Sequence, residues 1–544
     1  MRLLKPLYLS AVLALAITGC STTKAIQATP ITISAEIPLK KVKITDDELK
    51  RWSHLDLIKD TIPGMSVDRA YNELLKDKKA NKIIVGVIDS GIDIEHEDLK
   101  AVIWTNPKEG KNNAADDDKN GFIDDIHGWN FLGTSNEENM EYVRVLKRGD
   151  DGSEQYKRAK QEYDKEYQEA LVEKQKMDFI TNADKALKRL IKKDNYTAED
   201  LKTLTVKDAT LNEVKENFIL ILSNISKEEF DKEIKSAREH YYTKLNYHLN
   251  LNFDGRKPVG DNPYDFNDRG YGDNNVIGPV KDGAKHGTHV AGIIAQVRNN
   301  GLGGDGIASN NVEIMALRAV PDGDEYDKDI ALAIRYAVDN GAKVINCSFG
   351  KYFSTNKEWV YDAIKYAAEK DVLIVCAAGN EGIDLNEGEG VERYPNDNDR
   401  GEEFADNFLS VGALNFEYGP ELVADFSNYG KQDVDVFAPG VKIYATTPDN
   451  KYEYLQGTSM ASPNAAGVAA LIRSYYPDLK ASEVKKIMME SGIPVDIPVI
   501  LGGDVTNEKS FKDISVSGRM VNAYNALIMA DKLSADKKKA SAKK

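Results

Sequence analysis

Three cysteines occur in 544 residues, and basic residues are outnumbered by acidic ones, 72 to 88, for a net charge of −16. That balance excludes nucleic acid as the main partner, because phosphate binding needs a basic face. It suits a soluble protein that resists association. Long apolar runs are lacking as well. The stretch 7–17 is too short to span a bilayer as a stable helix, and nothing after it is long and apolar enough to cross one. Beyond Cys20 only Cys347 and Cys376 remain, each near the end of a β-rich apolar run. Free, buried thiols are the favoured reading, since buried Cys packs as a small hydrophobe. A bridge in an oxidising compartment is the alternative left open.

Arg2 and Lys5 precede the apolar stretch, which ends in Ile17-Thr18-Gly19-Cys20. This resembles a bacterial lipoprotein signal, in which Cys20 is lipidated and becomes the mature N-terminus; an ordinary secretory signal with an incidental Cys is the plainer reading. The resemblance implies export, with the soluble part tethered to a membrane through lipid. Ser21-Thr22-Thr23 lacks the acidic residue associated with inner-membrane retention, which points to the outer membrane, facing periplasm or surface.

Residues 21–51 read as a linker leaving the membrane. From Lys82 onward, β-branched runs at 83–88, 312–319, 343–348 and 372–378 are separated by helical patterns near 327–340 and 356–370. Near-continuous apolar strands with helical crossovers predict an α/β fold, its parallel sheet covered on both faces. Residues 132–250 break that rhythm: charge is dense, Gly and Pro are few, and Leu187, Leu190 and Ile191, or Leu211, Val214, Phe218 and Ile221, recur at helical spacing. A helical insertion is expected there, as a hairpin or small bundle, with a disordered linker as the competing reading. A helical pattern over 521–533 runs into Lys537-Lys538-Lys539, and 532–544 is expected to be an unstructured basic tail.

Ser459 stands in "LQGTSMASPNAAG", at a helix start. A serine hydroxyl is a poor nucleophile without an adjacent base. Asp89 ends an apolar strand in "VIDSGID", His286 opens an amphipathic helix in "KHGTHVAG", and Asn380 follows a strand in "VCAAGNEG". Taken singly, these are also good turn and cap residues. His286 and His289 lack the HExxH pattern of a zinc helix.

Together and in this order, Asp-Ser-Gly at 89–91, HGTHVAG at 286–292, AAGN at 377–380 and GTSMASP at 457–463 resemble the subtilisin-like serine peptidase family. VINCSFG (344–350), DFSNYG (425–430), FAPG (437–440) and GRMVNAY (518–524) extend the likeness. The resemblance implies a three-layer α/β fold with a central, mostly parallel sheet, its catalytic domain split between 52–131 and 251–531 by the insertion. It implies a serine endopeptidase acting on proteins or peptides through an acyl-enzyme. In that scheme Ser459 attacks, His286 is the base, Asp89 orients it, and the Asn380 amide and Ser459 N–H hold the oxyanion. Ser348, Phe349 and Gly350 would pair with the substrate backbone and wall the first specificity pocket. Asn464 and Ala465 depart from the family's usual His and Val, behind the nucleophile. The insertion, bracketed by Asp89 and His286, is expected near the active-site rim, where it gates substrates, binds a partner, braces the fold or is a solvated decoration.

Asp116, Asp118 and Asn120 precede Gly121 as in the start of an EF-hand-type loop, with Ile123 apolar. Position twelve is His127, so a further carboxylate must come from Asp124 or Asp125; Asp124 is taken with the other three as the calcium set. Similar loops bind calcium in relatives with this first insertion; an acidic surface turn is the alternative. Asp98 resembles a ligand of another family calcium site, although the matching loop 299–306 is altered. Finally, Asp322, Asp324, Glu325 and Asp327 lie in a segment aligned opposite 348–350, which predicts a preference for basic residues before the scissile bond.

Overall fold

The computed structural model describes residues 26–543, except 33–36, 38–39, 111–112, 388–390 and 400. Cys20 and the signal-like segment 1–20 lie outside the described residues. No described helix is long and apolar enough to cross a membrane.

The apolar runs form the sheet that their β-branched composition predicts. Its strands are β1 (Ile83–Asp89), β2 (Gly128–Asn130), β3 (Val312–Arg318), β4 (Ala342–Cys347), β5 (Leu373–Ala377), β6 (Phe408–Leu414) and β7 (Val436–Pro439). A separate hairpin, β8 (Ile443–Thr447) and β9 (Lys451–Leu455), follows before β10 (Ile493–Pro494) and β11 (Arg519–Met520) close the sheet. The nine strands run in the order β10-β11-β7-β6-β5-β4-β1-β3-β2, parallel throughout except for the outermost pair β10–β11. From β1 the chain builds β3 on one side and then crosses to β4 on the other. Ligands in such sheets bind at the carboxyl ends of the strands where the order reverses. Cys347 lies opposite Cys376 across β4 and β5, and both thiols are free and buried.

Five α-helices fall within 132–250: α1 (Glu141–Lys147), α2 (Glu154–Ile191), α3 (Ala198–Lys202), α4 (Ala209–Leu222) and α5 (Lys227–Thr243). The region is helical, as its periodicity predicts, and the disordered reading is excluded. Leu187, Tyr196, Leu201, Phe218 and Phe230 make a small core of their own at one end. At the other end Tyr142, Val143, Ala159 and Leu249 pack with Phe353 from outside the insertion. Helix α2, 38 residues long, links the two clusters. Leu190 and Ile221, which share the helical spacing, are exposed.

Helices α6 (Lys285–Ala295), α9 (Thr458–Tyr475), α10 (Ala481–Ser491) and α11 (Ala523–Ser541) cover one face of the sheet; α7 (Asp327–Asp339) and α8 (Lys357–Glu369) cover the other. Alternation along β1 sends Val85 and Val87 to the first face and Ile88 to the second. Each such fully buried aliphatic side chain stabilises the fold by about 1.5–3 kcal/mol. Helix α9 lies close to its neighbours because its residues are small: a Cβ on Gly467 would come within 2.5 Å of Ile307.

Two expectations at the termini change. The segment 532–544 is no loose tail, since α11 continues to Ser541 and Lys537 bonds the Asp478 carbonyl and the Glu483 carboxylate. Cations in the last turns also suit the helix dipole. The described part of 21–51 adheres to the same helix: Ile31 exchanges backbone hydrogen bonds with the Asn525 amide, and the Ile26 N–H donates to Asp531.

Candidate active site

Asp89, Ser348 and Asn380 all sit at or just beyond the carboxyl ends of β1, β4 and β5, on one edge of the sheet. Asp89 is buried, and its Oδ1 accepts from His286 Nδ1 at 2.7 Å and from the Ser90 N–H at 2.7 Å. The approach depends on Gly287, where a Cβ would lie 2.2 Å from the Gly91 carbonyl and 3.0 Å from the Asp89 Cβ. Burial acts to lower the His286 pKa, but the adjoining Asp89 charge and hydrogen bond prevail and raise it above the ordinary value. Nε2 has no partner among the described residues and is the nitrogen left for a proton transfer. His289, one turn on, is buried against the Glu453 carbonyl and held down to about 4 by burial, so it takes no part.

Ser459 is the second residue of α9, after Gly457, whose φ of 146° is open to glycine. Its Oγ donates to the Ser348 carbonyl at 3.0 Å. The Asn380 Oδ1 accepts from the Thr458 N–H at 2.8 Å and the Thr458 hydroxyl at 3.0 Å. This fixes the amide with Nδ2 free to donate. A Cβ on Gly457 would stand 3.6 Å from both Asn380 Nδ2 and the Ser459 nitrogen, so the two donors share one small space. That arrangement suits an oxyanion. Asp89 and His286 thus form one pair and Asn380 and the Ser459 nitrogen another; Ser348, which lines one cleft with Asp89 and His286, bonds Ser459 and links the two.

Asn346 and Ser462 escaped the sequence reading, although Asn346 is a lone polar residue in an apolar strand. Ser462 Oγ donates to Asn346 Oδ1 at 2.8 Å, and Asn346 Nδ2 donates to Ser348 Oγ at 2.9 Å. Asn464, the departure behind the nucleophile, donates to the Pro439 and Met460 carbonyls.

Of the three residues assigned to substrate pairing, the Phe349 side chain belongs to the core, and its carbonyl accepts from Arg393. Gly350 has no backbone partner among the described residues and remains available to an extended peptide. The acidic segment facing it does not. Asp324, Glu325 and Asp327 are buried; the Asp324 carboxylate accepts from the Glu141 N–H at 2.7 Å, and that of Asp327 from the Thr355 and Asn356 N–H groups. Arg144 of α1 pairs with Glu141 and donates to the carbonyls of Asp324 and Glu325 at 2.7 and 2.9 Å, while Lys351 pairs with Asp327 at 2.9 Å. Only Asp322 is exposed, and it pairs with His248 at 3.2 Å. The predicted preference for basic residues therefore loses its basis, because three of the four carboxylates invoked for it are buried.

The acidic loop also differs from its expected form. Asp124 is not a ligand candidate: its two oxygens accept from the Asn113 and Ala114 N–H groups at 2.9 and 2.8 Å. Asp116 likewise accepts from the Asn120 and Gly121 N–H groups. Ligand atoms of Glu109, Asp118 and Asp125 converge within 4.8 Å, and the Asn120 amide touches both Asp118 and Asp125. Glu109 Oε2 is buried without a partner. Burial, with the neighbouring carboxylates, raises the pKa of both Glu109 and Asp125. An orphaned oxygen among three carboxylates fits a hard cation with oxygen ligands. Asp98 stands elsewhere, bonded to Asn300 and the Val297 N–H.

The subtilase family profile matches residues 80–517. The chain is 42% identical over 213 residues to the thermophilic serine proteinase of Bacillus sp. strain AK1, a match covering 39% of this chain and 46% of that protein. It is 39% identical over 225 residues to the cell wall-associated protease of Bacillus subtilis, covering 41% and 23% of the two chains. With subtilisin DY of Bacillus licheniformis it shares 38% identity over 205 residues, 38% of this chain and 69% of that one. The chain spans less than half the length of the first two relatives. With the family profile matched across both halves of the sheet, the chain belongs to the subtilase family.

Proposed function

We propose that the protein is a serine endopeptidase that hydrolyses peptide bonds through an acyl-enzyme on Ser459. The observation that carries this reading is the 2.7 Å pairing of Asp89 with His286, together with Ser459 in the first turn of α9. Ser459 Oγ leaves its bond to the Ser348 carbonyl, gives its proton to His286 Nε2 and attacks the substrate carbonyl carbon. Asp89 holds Nδ1 protonated and stabilises the imidazolium. The carbonyl oxygen takes the negative charge between Asn380 Nδ2 and the Ser459 N–H, where fixed donors need no reorganisation. His286 then protonates the leaving amine, and water repeats the sequence on the acyl-enzyme. Substrate is held in extended form along 348–350, so main-chain pairing supplies affinity for many sequences. Hydrolysis of an unfolded protein such as casein, abolished in Ser459→Ala, tests the reading; equal turnover by that variant contradicts it.

Calcium belongs to the acidic loop in this proposal. Glu109, Asp118 and Asp125 would hold it, with the Asn120 side chain re-oriented to offer its oxygen, and bound there it supplies charge neutralisation that ties the loop to α7 through Tyr336, which donates to Asp125. The chain is further proposed to be exported and anchored by lipid on Cys20 at the outer membrane. Incorporation of a fatty-acid probe, lost in Cys20→Ala, tests the anchor; labelling that persists in the variant contradicts it. The insertion is assigned a bracing role, with Arg144 tying it to the loop that borders the cleft.

A further inference from the structure

The slot between the two walls of the cleft is not empty of charge. One wall is 348–350 and the other is 378–380, which ends in Asn380. Between them lies the guanidinium of Arg393. A Cβ on Gly350 would stand 2.2 Å from Arg393 Nη2, and a Cβ on Gly379 would stand 3.0 Å from its Nε. The cation reaches this position because both walls present glycine to it.

Its partners leave it under-satisfied. Nη2 donates to the Phe349 carbonyl at 2.6 Å and Nη1 to the Cys376 sulfur at 3.7 Å, a weak acceptor. A guanidinium has five N–H donors in a planar fork. No carboxylate among the described residues forms an ion pair with it, in contrast to Arg144 and Arg256, which are paired with Glu141 and with Asp261 and Asp329. The Glu381 carboxylate, whose charge favours the Arg393 cation, makes its own hydrogen bonds to Asn428 Nδ2 at 2.8 Å and to the Tyr352 hydroxyl. With no directly bonded carboxylate among the described residues, the guanidinium keeps N–H donors to spare, and an anion entering the slot would take them.

The position of the slot says which part of a substrate enters it. With the acyl carbon at Ser459 and its oxygen at Asn380, the residue on the acyl side lies along 348–350, and its side chain drops between the two walls. We propose that Arg393 is a specificity-determining residue that selects an acidic side chain, Asp or Glu, immediately before the scissile bond; this rests on the endopeptidase reading. The carboxylate binds the unused edge of the guanidinium in two-pronged fashion. Neutral isosteres lose that pairing and leave the cation unmatched, which is the kind of mismatch on which strong discrimination is built.

The test compares kcat/KM for two peptides that differ only in Glu or Gln before the cleaved bond, with wild-type protein and Arg393→Gln. The expected result is a preference for Glu of about tenfold or more in the wild type, falling to near unity in the variant. Equal rates on the two peptides in the wild type, or a Glu preference unchanged in Arg393→Gln, overturn the proposal. So does a switch from small to large side chains in the variant without any loss of acidic preference, which would make Arg393 a plug. Labelling of both proteins by a fluorophosphonate probe separates the two levels: labelled protein without acidic preference defeats only the pocket assignment, whereas an unlabelled, folded wild type defeats the endopeptidase reading as well.

Discussion

Ser348 and Ser459 exchange hydrogen bonds: the Ser459 hydroxyl donates to the Ser348 carbonyl at 3.0 Å, and the Ser348 hydroxyl donates to the Ser459 carbonyl at 2.8 Å. The second bond answers a deficit built into α9. Pro463 stands four residues after Ser459 and has no N–H to give its carbonyl. Ser348 supplies that missing donor, backed by Asn346 and Ser462, and so fixes the turn that carries the nucleophile.

Ser348→Ala removes the donor and leaves the carbonyl unsatisfied, which costs about 1–3 kcal/mol. Thermal unfolding should show the loss. Turnover should fall about tenfold, because a small displacement of the attacking oxygen is enough to spoil alignment. An unchanged melting temperature and unchanged kcat would contradict this role.

Asn380→Gly removes the side-chain donor while Thr458 keeps its place in the helix. The expected loss is about 3–4 kcal/mol of transition-state stabilisation, a range known from a subtilisin oxyanion-hole asparagine and not obtained from this geometry. It should appear in kcat, with KM little affected. A rise in KM alone would mean that Asn380 only binds substrate.

The raised pKa of His286 gives pH effects of opposite sign on activity and stability. The base must be neutral, so kcat/KM should fall as pH drops through a value above the ordinary histidine pKa of about 6.5. The Asp89–imidazolium attraction stabilises the fold fully below the unfolded-state pKa and is lost as pH rises through the folded one. Asp89→Asn should shift the kinetic pKa downward and reduce kcat about ten-thousandfold. A pH profile insensitive to Asp89 would contradict the assignment.

How much of this was legible beforehand divides along physical lines. Strand and helix types follow from apolar periodicity, whereas Asp89, His286, Asn380 and Ser459 stand out only through the joint order of their motifs, since each alone reads equally as a turn or cap. Asp124 was misassigned because positions in a calcium-type loop do not reveal which carboxylate turns back to cap the loop's own N–H groups and which, like Asp125, points inward. Asp324, Glu325 and Asp327 mislead for a related reason: spacing does not reveal that all three are buried, with Arg144 holding the carbonyls of the first two and Lys351 pairing with the third. Arg393 has no motif at all, and only the fold brings it beside Gly350 and Gly379.

Arg144 is buried with Glu141, so its removal leaves that buried carboxylate with Lys351, 3.4 Å away, as its remaining cation. Arg144→Met should destabilise the protein by about 3–5 kcal/mol and loosen the loop 321–327, seen as faster amide exchange there. Intact protection of that loop in the variant would count against the bracing role of the insertion.

Chelation of calcium should lower the melting temperature, since a ligand at a hundred times its Kd stabilises by about 2.7 kcal/mol. Glu109→Gln should abolish the difference between calcium and chelator. Identical melting curves of the wild type in both conditions would contradict a bound ion.

The central claim is that Ser459 is a nucleophile activated by His286 and Asp89. Its most direct measurement is titration of the folded protein with a fluorophosphonate, followed by peptide mapping of the adduct. One label per chain is expected, on Ser459, formed far more slowly in Asp89→Asn and His286→Ala. A folded protein that takes up no label, or takes it up on another residue, would contradict it.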